Sequence, residues 1–267
     1  MDLVATSTGI AQGPFALRRV TALVGPYGSG KTELAIGLSL LAARQVGQEG
    51  SAVRRAVLGD LDVLKPYFRS REVSDSLKQS GVGLLAPAGA LAQSDLPILT
   101  PELRGSVLRQ DTQVVLDVGG DPVGARALGS ISDVMNQSGG YDLLLVLNRY
   151  RPFMDTQEKV VEQARRIAAA ANLDFTGVIS NTNLLEETSE QDVEWGLELA
   201  VPVAQELGVA VRLLAVSEHL EESFAHRTGL PPVVAIRRRM MPHFLGGVVL
   251  APTSRQIQGP RPAPLAG

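Results

Sequence analysis

Apolar residues gather along this chain in short, near-continuous runs, separated by longer stretches in which they return every three or four positions. The runs fall at residues 20–24, 56–58, 82–85, 114–118, 143–147, 176–179 and 211–216. Near-continuous apolar runs read as strands covered on both faces, and their alternation with helical patterns predicts an α/β fold built on a mostly parallel sheet with helices on both sides. Over 156–171, Val160, Val161, Ala164, Ile167, Ala168 and Ala171 form one helical stripe, while Glu162, Arg165 and Arg166 mark the opposite face. Thr188 and Gln191 have capping-box spacing ahead of a second stripe, Val193, Leu197, Ala200, Val201 and Ala204.

No internal repeat interrupts this pattern, and 267 residues suit one domain of this class. The expected division is a single domain over 1–251 and a flexible tail over 252–267, where Pro, Gly, Ala and Gln leave little to bury. Residues 1–15 fit either an edge hairpin or a loose arm. A net charge of -3 supplies no global basic field, so neither nucleic acid nor a membrane surface is indicated as a partner. The absence of cysteine removes disulfides, thiolate zinc sites and iron–sulfur clusters held by this chain. The amino terminus has no basic segment followed by an apolar core, and a cytoplasmic location is expected.

The first chemical signal follows the first strand. Gly25, Pro26, Tyr27, Gly28, Ser29, Gly30, Lys31 and Thr32 match the phosphate-loop pattern GxxxxGK[ST], and a helical segment begins at once after it. Glycines allow backbone N–H groups to converge on phosphate oxygens, and the helix start adds partial positive charge. Lys31 is expected to reach the β and γ phosphates in a catalytic role, and Thr32 to place its hydroxyl on Mg²⁺.

Two acidic strand ends accompany this loop. Asp60 and Asp62 leave the run 56–58 together, and alternation directs both to one side of an extended backbone, where they face either a metal and a water or only solvent. Asp117 ends the run 114–116 and is followed by Gly119 and Gly120. A lone acid after an apolar strand is the usual build of a second Mg²⁺-binding segment in phosphate-loop proteins, with a plain strand-end turn as the alternative.

Taken together, these segments resemble the MinD/ParA/CobQ-type nucleotide-binding ATPases, the branch of phosphate-loop proteins related to the signal recognition GTPases. The resemblance covers roughly residues 20–216, and a little-described group of bacterial ATP-binding proteins shares the pattern DLDxxxPYFRSRE, which here runs from Asp60 to Glu72. It implies that Asp62 orients the attacking water, that Asp60 supports the metal and the lysine, that Asp117 is the second metal-linked acid, and that Asn181 contacts the base. Many ParA-type members carry a lysine where this chain has Pro26, so activation by a lysine crossing a dimer is not implied.

Base choice has a separate clue. Guanine selection through NKxD needs a carboxylate, and neither the segment Asn148, Arg149, Tyr150, Arg151 nor the segment Asn181, Thr182, Asn183, Leu184 supplies one. An amide such as Asn181 pairs with adenine or else only steadies its own loop, and ATP is the expected nucleotide. The expected function is an Mg²⁺-dependent ATPase acting as a nucleotide switch for an unidentified protein partner, with a homodimer as a further arrangement. The alternative is an ATP-dependent small-molecule kinase or ligase, with an acceptor site drawn from 87–103 or from Arg69 and Arg71. A metal-delivery GTPase is disfavoured, because His219, His226 and His243 are widely spaced and have no cysteine beside them. A nucleotide-binding scaffold without turnover is a further option. Three arginines at 237–239 are too few for stable membrane docking. The segment 66–72, with Tyr67, Phe68, Arg69 and Arg71 close behind the paired acids, is the expected partner surface, with core packing as the other reading.

Overall fold

A computed structural model describes residues 17–62, 71–85, 101–120 and 122–236. Within them the apolar runs become strands β1 (Val20–Val24), β2 (Arg55–Leu61), β3 (Val82–Leu85), β4 (Thr112–Val118), β5 (Tyr141–Leu147), β6 (Gly177–Ser180) and β7 (Ala210–Ser217), joined by β8 (Val233–Ile236). All pair in parallel, in the order β3-β2-β4-β1-β5-β6-β7-β8. Parallel neighbours need crossovers, and these are supplied by α1 (Lys31–Gln45), α2 (Arg71–Gln79), α3 (Pro101–Leu108), α4 (Pro122–Gly129), α5 (Ser132–Gln137), α6 (Gln157–Ala171), α7 (Glu190–Glu206) and α8 (Glu221–Ala225).

Alternation along each strand divides the side chains between two cores. On one face Leu23, Leu58, Val115, Leu144 and Val146 pack with Leu34, Ile36 and Leu38 of α1 and with Leu77 of α2. On the other, Val20, Ala22, Val114, Leu116 and Leu143 meet Leu103, Leu128, Met135 and Ile167 from α3 to α6. The second face continues through Leu145, Leu147 and Val178 under α6 and α7, and ends where Leu214, Val216 and Ala235 meet Phe224 of α8. Odd positions of β4 and even positions of β2 therefore share the α1 face, which settles where the acids at their ends are aimed. At the opposite, amino-terminal edge, the buried Arg19 guanidinium donates to the carbonyls of Val107, Arg109, Thr112 and Ser138 and ties β1 to the ends of α3 and α5.

Several strands extend beyond their apolar runs, because ladder pairing continues into the polar flanks. Strand β8 is not expected from the hydrophobic pattern; its four residues follow two prolines, and it is fixed by pairing with β7, where Leu214 N–H also bonds Pro232 O. Helix α6 starts where predicted, with Thr156 accepting from Lys159 N–H. The cap of α7 is a correction: Ser189 and Asp192 form the capping box, not Thr188 and Gln191. Thr188 instead accepts from Leu184 N–H and donates to Leu185 O, so its hydroxyl is spent on the turn before the helix. The expected arm at 1–15, the tail 252–267, the arginines at 237–239, and Tyr67, Phe68 and Arg69 lie outside the described residues, as does most of 87–103. Among the described residues no helix is long and apolar enough to cross a membrane.

Leu144 is fully buried in the central strand β5, on the α1 face. Leu144→Ala should cost about 2–5 kcal/mol of stability by lost transfer free energy and the cavity left behind, read from urea denaturation; a loss below about 1 kcal/mol would mean that this core relaxes around the gap.

Candidate phosphate and metal site

The site is assembled where the carboxyl ends of the strands meet the start of α1, the usual place for ligands on an open parallel sheet. Strand β1 ends at Val24, residues 25–30 turn back, and α1 begins at Lys31. The turn closes on a hydrogen bond from Ser29 N–H to Pro26 O at 3.2 Å. Gly30 caps the helix with φ 92°, in the left-handed region, and no side chain caps the first-turn amides. A Cβ at Gly30 would stand 2.2 Å from Asn181 Nδ2, so both conformation and space require glycine there. The uncapped start leaves the positive end of the helix for an anion. Lys31 is buried, and its Nζ donates to Pro26 O at 3.0 Å, which folds the ammonium across the turn.

Three acids approach from β2 and β4 on the α1 face. Asp60 and Asp117 stand directly opposite each other in the ladder, and Leu23 of β1 is opposite Asp117 on its other side. Asp117 is 1% exposed; its Oδ2 accepts from Thr32 Oγ1 at 2.6 Å, while its Oδ1 is buried and has no hydrogen-bond partner. Asp60 is also buried, and its Oδ1 accepts from Asp62 N–H at 3.0 Å, which sets the backbone direction at Asp62. A Cβ at Gly119 would lie 3.4 Å from Asp62 Oδ1, so the Asp62 carboxylate sits against the turn that follows β4.

Mg²⁺ fits this donor set. The unpartnered buried oxygen of Asp117 and the hydroxyl of Thr32 are adjacent hard oxygen donors, and Mg²⁺ in phosphate sites takes few protein ligands, with phosphates and water completing its octahedron.

The far wall comes from β5 and β6. Asn181 follows β6, and its Nδ2 donates to Ser29 O at 2.7 Å. A carbonyl can only accept, so this bond fixes which way the amide faces and leaves Oδ1 as an acceptor. Arg151, in the turn that follows β5 and starts at Asn148, lies on the phosphate loop itself: a Cβ at Gly28 would be 3.0 Å from its Nε. A cavity of about 810 Å³ spans the sheet's carboxyl edge, lined by Lys31, Thr32 and Asp62 near β1 and β2 and by Asn183, Val216 and Ile236 towards β6, β7 and β8.

The expected site residues thus come together: Gly25 to Thr32 form the turn, Asp60, Asp62 and Asp117 flank it, and Asn181 is bonded to it. Arg151 lines the same cavity and is missed by sequence reasoning, as are Glu186 and Glu218. The segment 148–151 enters that reasoning only through guanine recognition, although its position just after a strand adjoining the phosphate-loop strand is a usable signal.

No protein-family model matches the sequence, and no curated protein matches it. Solved structures with a similar fold include the signal recognition particle receptor FtsY from Elizabethkingia anophelis in complex with GDP, at 24% identity and TM-score 0.43, covering 72% of this chain and 55% of that one. The cell division protein FtsY from Thermotoga maritima aligns at 17% identity and TM-score 0.49, over 79% and 65% of the two chains. The signal recognition particle 54 kDa protein from Aeropyrum pernix, in complex with GDP, aligns at 18% identity and TM-score 0.44, over 72% and 40%. The chain therefore spans less than two thirds of the length of each. Its own sheet order, loop and helix define a P-loop NTPase fold.

Burial pushes the Asp117 carboxyl up from its ordinary 3.8 to about 6, against the lowering effects of the Thr32 hydrogen bond and the Lys31 charge, with Asp62 adding to the rise. A raised carboxyl pKa means that folding favours the protonated form. Its stabilising contribution is complete below the unfolded value near 3.8 and is lost as pH rises through about 6. Asp117→Asn removes this titration with little change of shape. Without metal or nucleotide, the wild type should lose about 2 kcal/mol relative to Asp117→Asn between pH 4 and pH 7, because each tenfold change in proton affinity is worth about 1.36 kcal/mol and the loss begins below pH 4. Parallel stability curves in urea would contradict the burial of an ionisable Asp117.

Proposed function

We propose that this protein binds Mg-ATP at residues 25–32 and hydrolyses it slowly, as a nucleotide switch for a protein partner. The observation that carries this reading is the junction of Thr32 with Asp117, whose second oxygen is buried without a partner beside a lysine-bearing phosphate loop. In this reading the first-turn amides of α1 and Lys31 hold the β and γ phosphates, and Lys31 exchanges the carbonyl of Pro26 for phosphate oxygen. Thr32 and Asp117 would hold Mg²⁺, which when bound neutralises phosphate charge and fixes the β and γ oxygens.

Asp62 is the group for the water. Asp60 holds its backbone N–H, and its carboxylate lies against Gly119. A carboxylate so placed orients a water for in-line attack and takes its proton as the new O–P bond forms and the bond to the ADP leaving oxygen breaks. Adenine is favoured by the acceptor Oδ1 of Asn181, which suits the adenine amine and opposes guanine O6. Glu186 and Glu218 also line the cavity, and a carboxylate is what guanine's N–H groups seek, so competition by GTP is the arm that tests base choice. The segment 66–72 remains the proposed partner surface, since it follows the acids that would respond to loss of the γ phosphate.

Calorimetry and single-turnover assays on three proteins test this function. Wild type should bind Mg-ATP more tightly than Mg-GTP. Lys31→Ala should fold but lose binding, whereas Asp62→Asn should bind nearly normally and turn over roughly 100-fold more slowly, the usual scale for a positioned general base. A folded Lys31→Ala with wild-type ATP affinity would overturn the site. A GTP preference would overturn the base assignment, and phosphoryl transfer to a metabolite with little hydrolysis would replace the switch by a kinase.

A further inference from the structure

We infer that Arg151 is a second phosphate ligand, supplied by the turn after β5 and used alongside Lys31; this deepens the nucleotide-binding reading and rests on it. The side chain packs directly on the loop: a Cβ at Gly28 would meet Arg151 Nε at 3.0 Å, Cζ at 3.1 Å and Cδ at 3.3 Å. Its Nε is buried and has no hydrogen-bond partner. No carboxylate among the described residues pairs with it, whereas Arg104, Arg109, Arg149, Arg165, Arg166, Arg212 and Arg227 all have acidic partners. A guanidinium drawn partly from water without an anion is unfavourable, and here it lines the same cavity as Lys31 and the positive start of α1. A polyphosphate presents oxygens that match the guanidinium fork.

The turn holds the backbone at Arg151 in place. Asn148 is fully buried; its Oδ1 accepts from Tyr150 N–H at 3.1 Å, and its carbonyl accepts from Arg151 N–H at 3.0 Å. Thr182 Oγ1 accepts from Arg149 N–H at 3.0 Å. Arg149 lies over the Trp195 ring, 4.2 Å from its centre, and donates to Trp195 O at 2.7 Å. The Tyr150 hydroxyl bonds Asp192 on α7. The residues ahead of Arg151 are thus fastened to α7 and to the turn after β6, and Arg151 alone of the four turns to the cavity. Little backbone entropy remains to be lost when it meets an anion, which is one way a pre-placed ligand gains affinity.

The test compares Mg-ATP with adenosine, each measured by displacement of a fluorescent nucleotide, on wild type, Arg151→Ala, Arg151→Lys, Lys31→Ala and Arg165→Ala, the last removing an exposed α6 charge outside the cavity. Arg151→Ala should weaken Mg-ATP roughly 10- to 100-fold, the scale of a charge-assisted hydrogen bond, and leave adenosine unchanged. Arg151→Lys should recover part of the loss, and Arg165→Ala should match wild type. Equal losses for ATP and adenosine would show that the side chain only props the turn, overturning the inference. Wild-type ATP affinity in Arg151→Ala, with Lys31→Ala defective, would overturn it while leaving the nucleotide site intact. A wild type that binds neither ligand would remove both.

Discussion

The structure turns on how closely the backbone after β4 approaches the phosphate loop. A Cβ at Gly120 would stand 1.9 Å from Gly25 O and 3.0 Å from the Pro26 carbonyl carbon, both backbone atoms that no rotamer change can move. Only glycine permits that nesting. Because the two turns interlock, the alignment of β1 with β4 continues past the strand ends, and Asp117 arrives 2.6 Å from the Thr32 hydroxyl. Asp60 then stands opposite Asp117 by ladder register alone, and Asp62 follows two residues on, on the same face. One steric constraint thereby sets the positions of the loop, Asp117 and Asp62.

This geometry is electrostatically unfinished without a ligand. Asp117 loses hydration on burial and recovers only part of it from Thr32 and Lys31, so its carboxyl stays well above the ordinary range. Lys31 and Arg151 crowd cations against amides that already carry partial positive charge. Carboxylates on one side and cations on the other are matched to a magnesium polyphosphate, whose metal meets the acids and whose oxygens meet the cations.

Much of this is legible in the sequence because it depends on local patterns. The strand at 20–24, the eight-residue loop and the helix after it sit next to each other in the chain, and period-two alternation alone places Asp60 and Asp62 on one side. The parallel fold follows from near-continuous apolar runs. What the sequence hides depends on tertiary closure. Whether Asp117 reaches Thr32, 85 residues away in the chain, rather than Lys31 is decided by the nesting of the two turns. The contact of Asn181 with Ser29 O spans 152 residues, and Arg151 reaches the loop only because Arg149 and Tyr150 are fastened to α7. Strand β8 escapes notice because four residues carry too little periodicity to distinguish an edge strand from a loop. Ser189 wins the cap from Thr188 because the Thr188 hydroxyl has closer partners in the preceding turn.

The most direct measurement of the central claim is a crystal structure grown with a non-hydrolysable ATP analogue and Mg²⁺ or Mn²⁺, the latter located by its anomalous signal. The expected result is triphosphate in the turn 25–32, with the metal bound by the Thr32 hydroxyl on the side of Asp117. A nucleotide seated elsewhere, or a triphosphate in the turn whose metal avoids Thr32 and Asp117, would contradict the account.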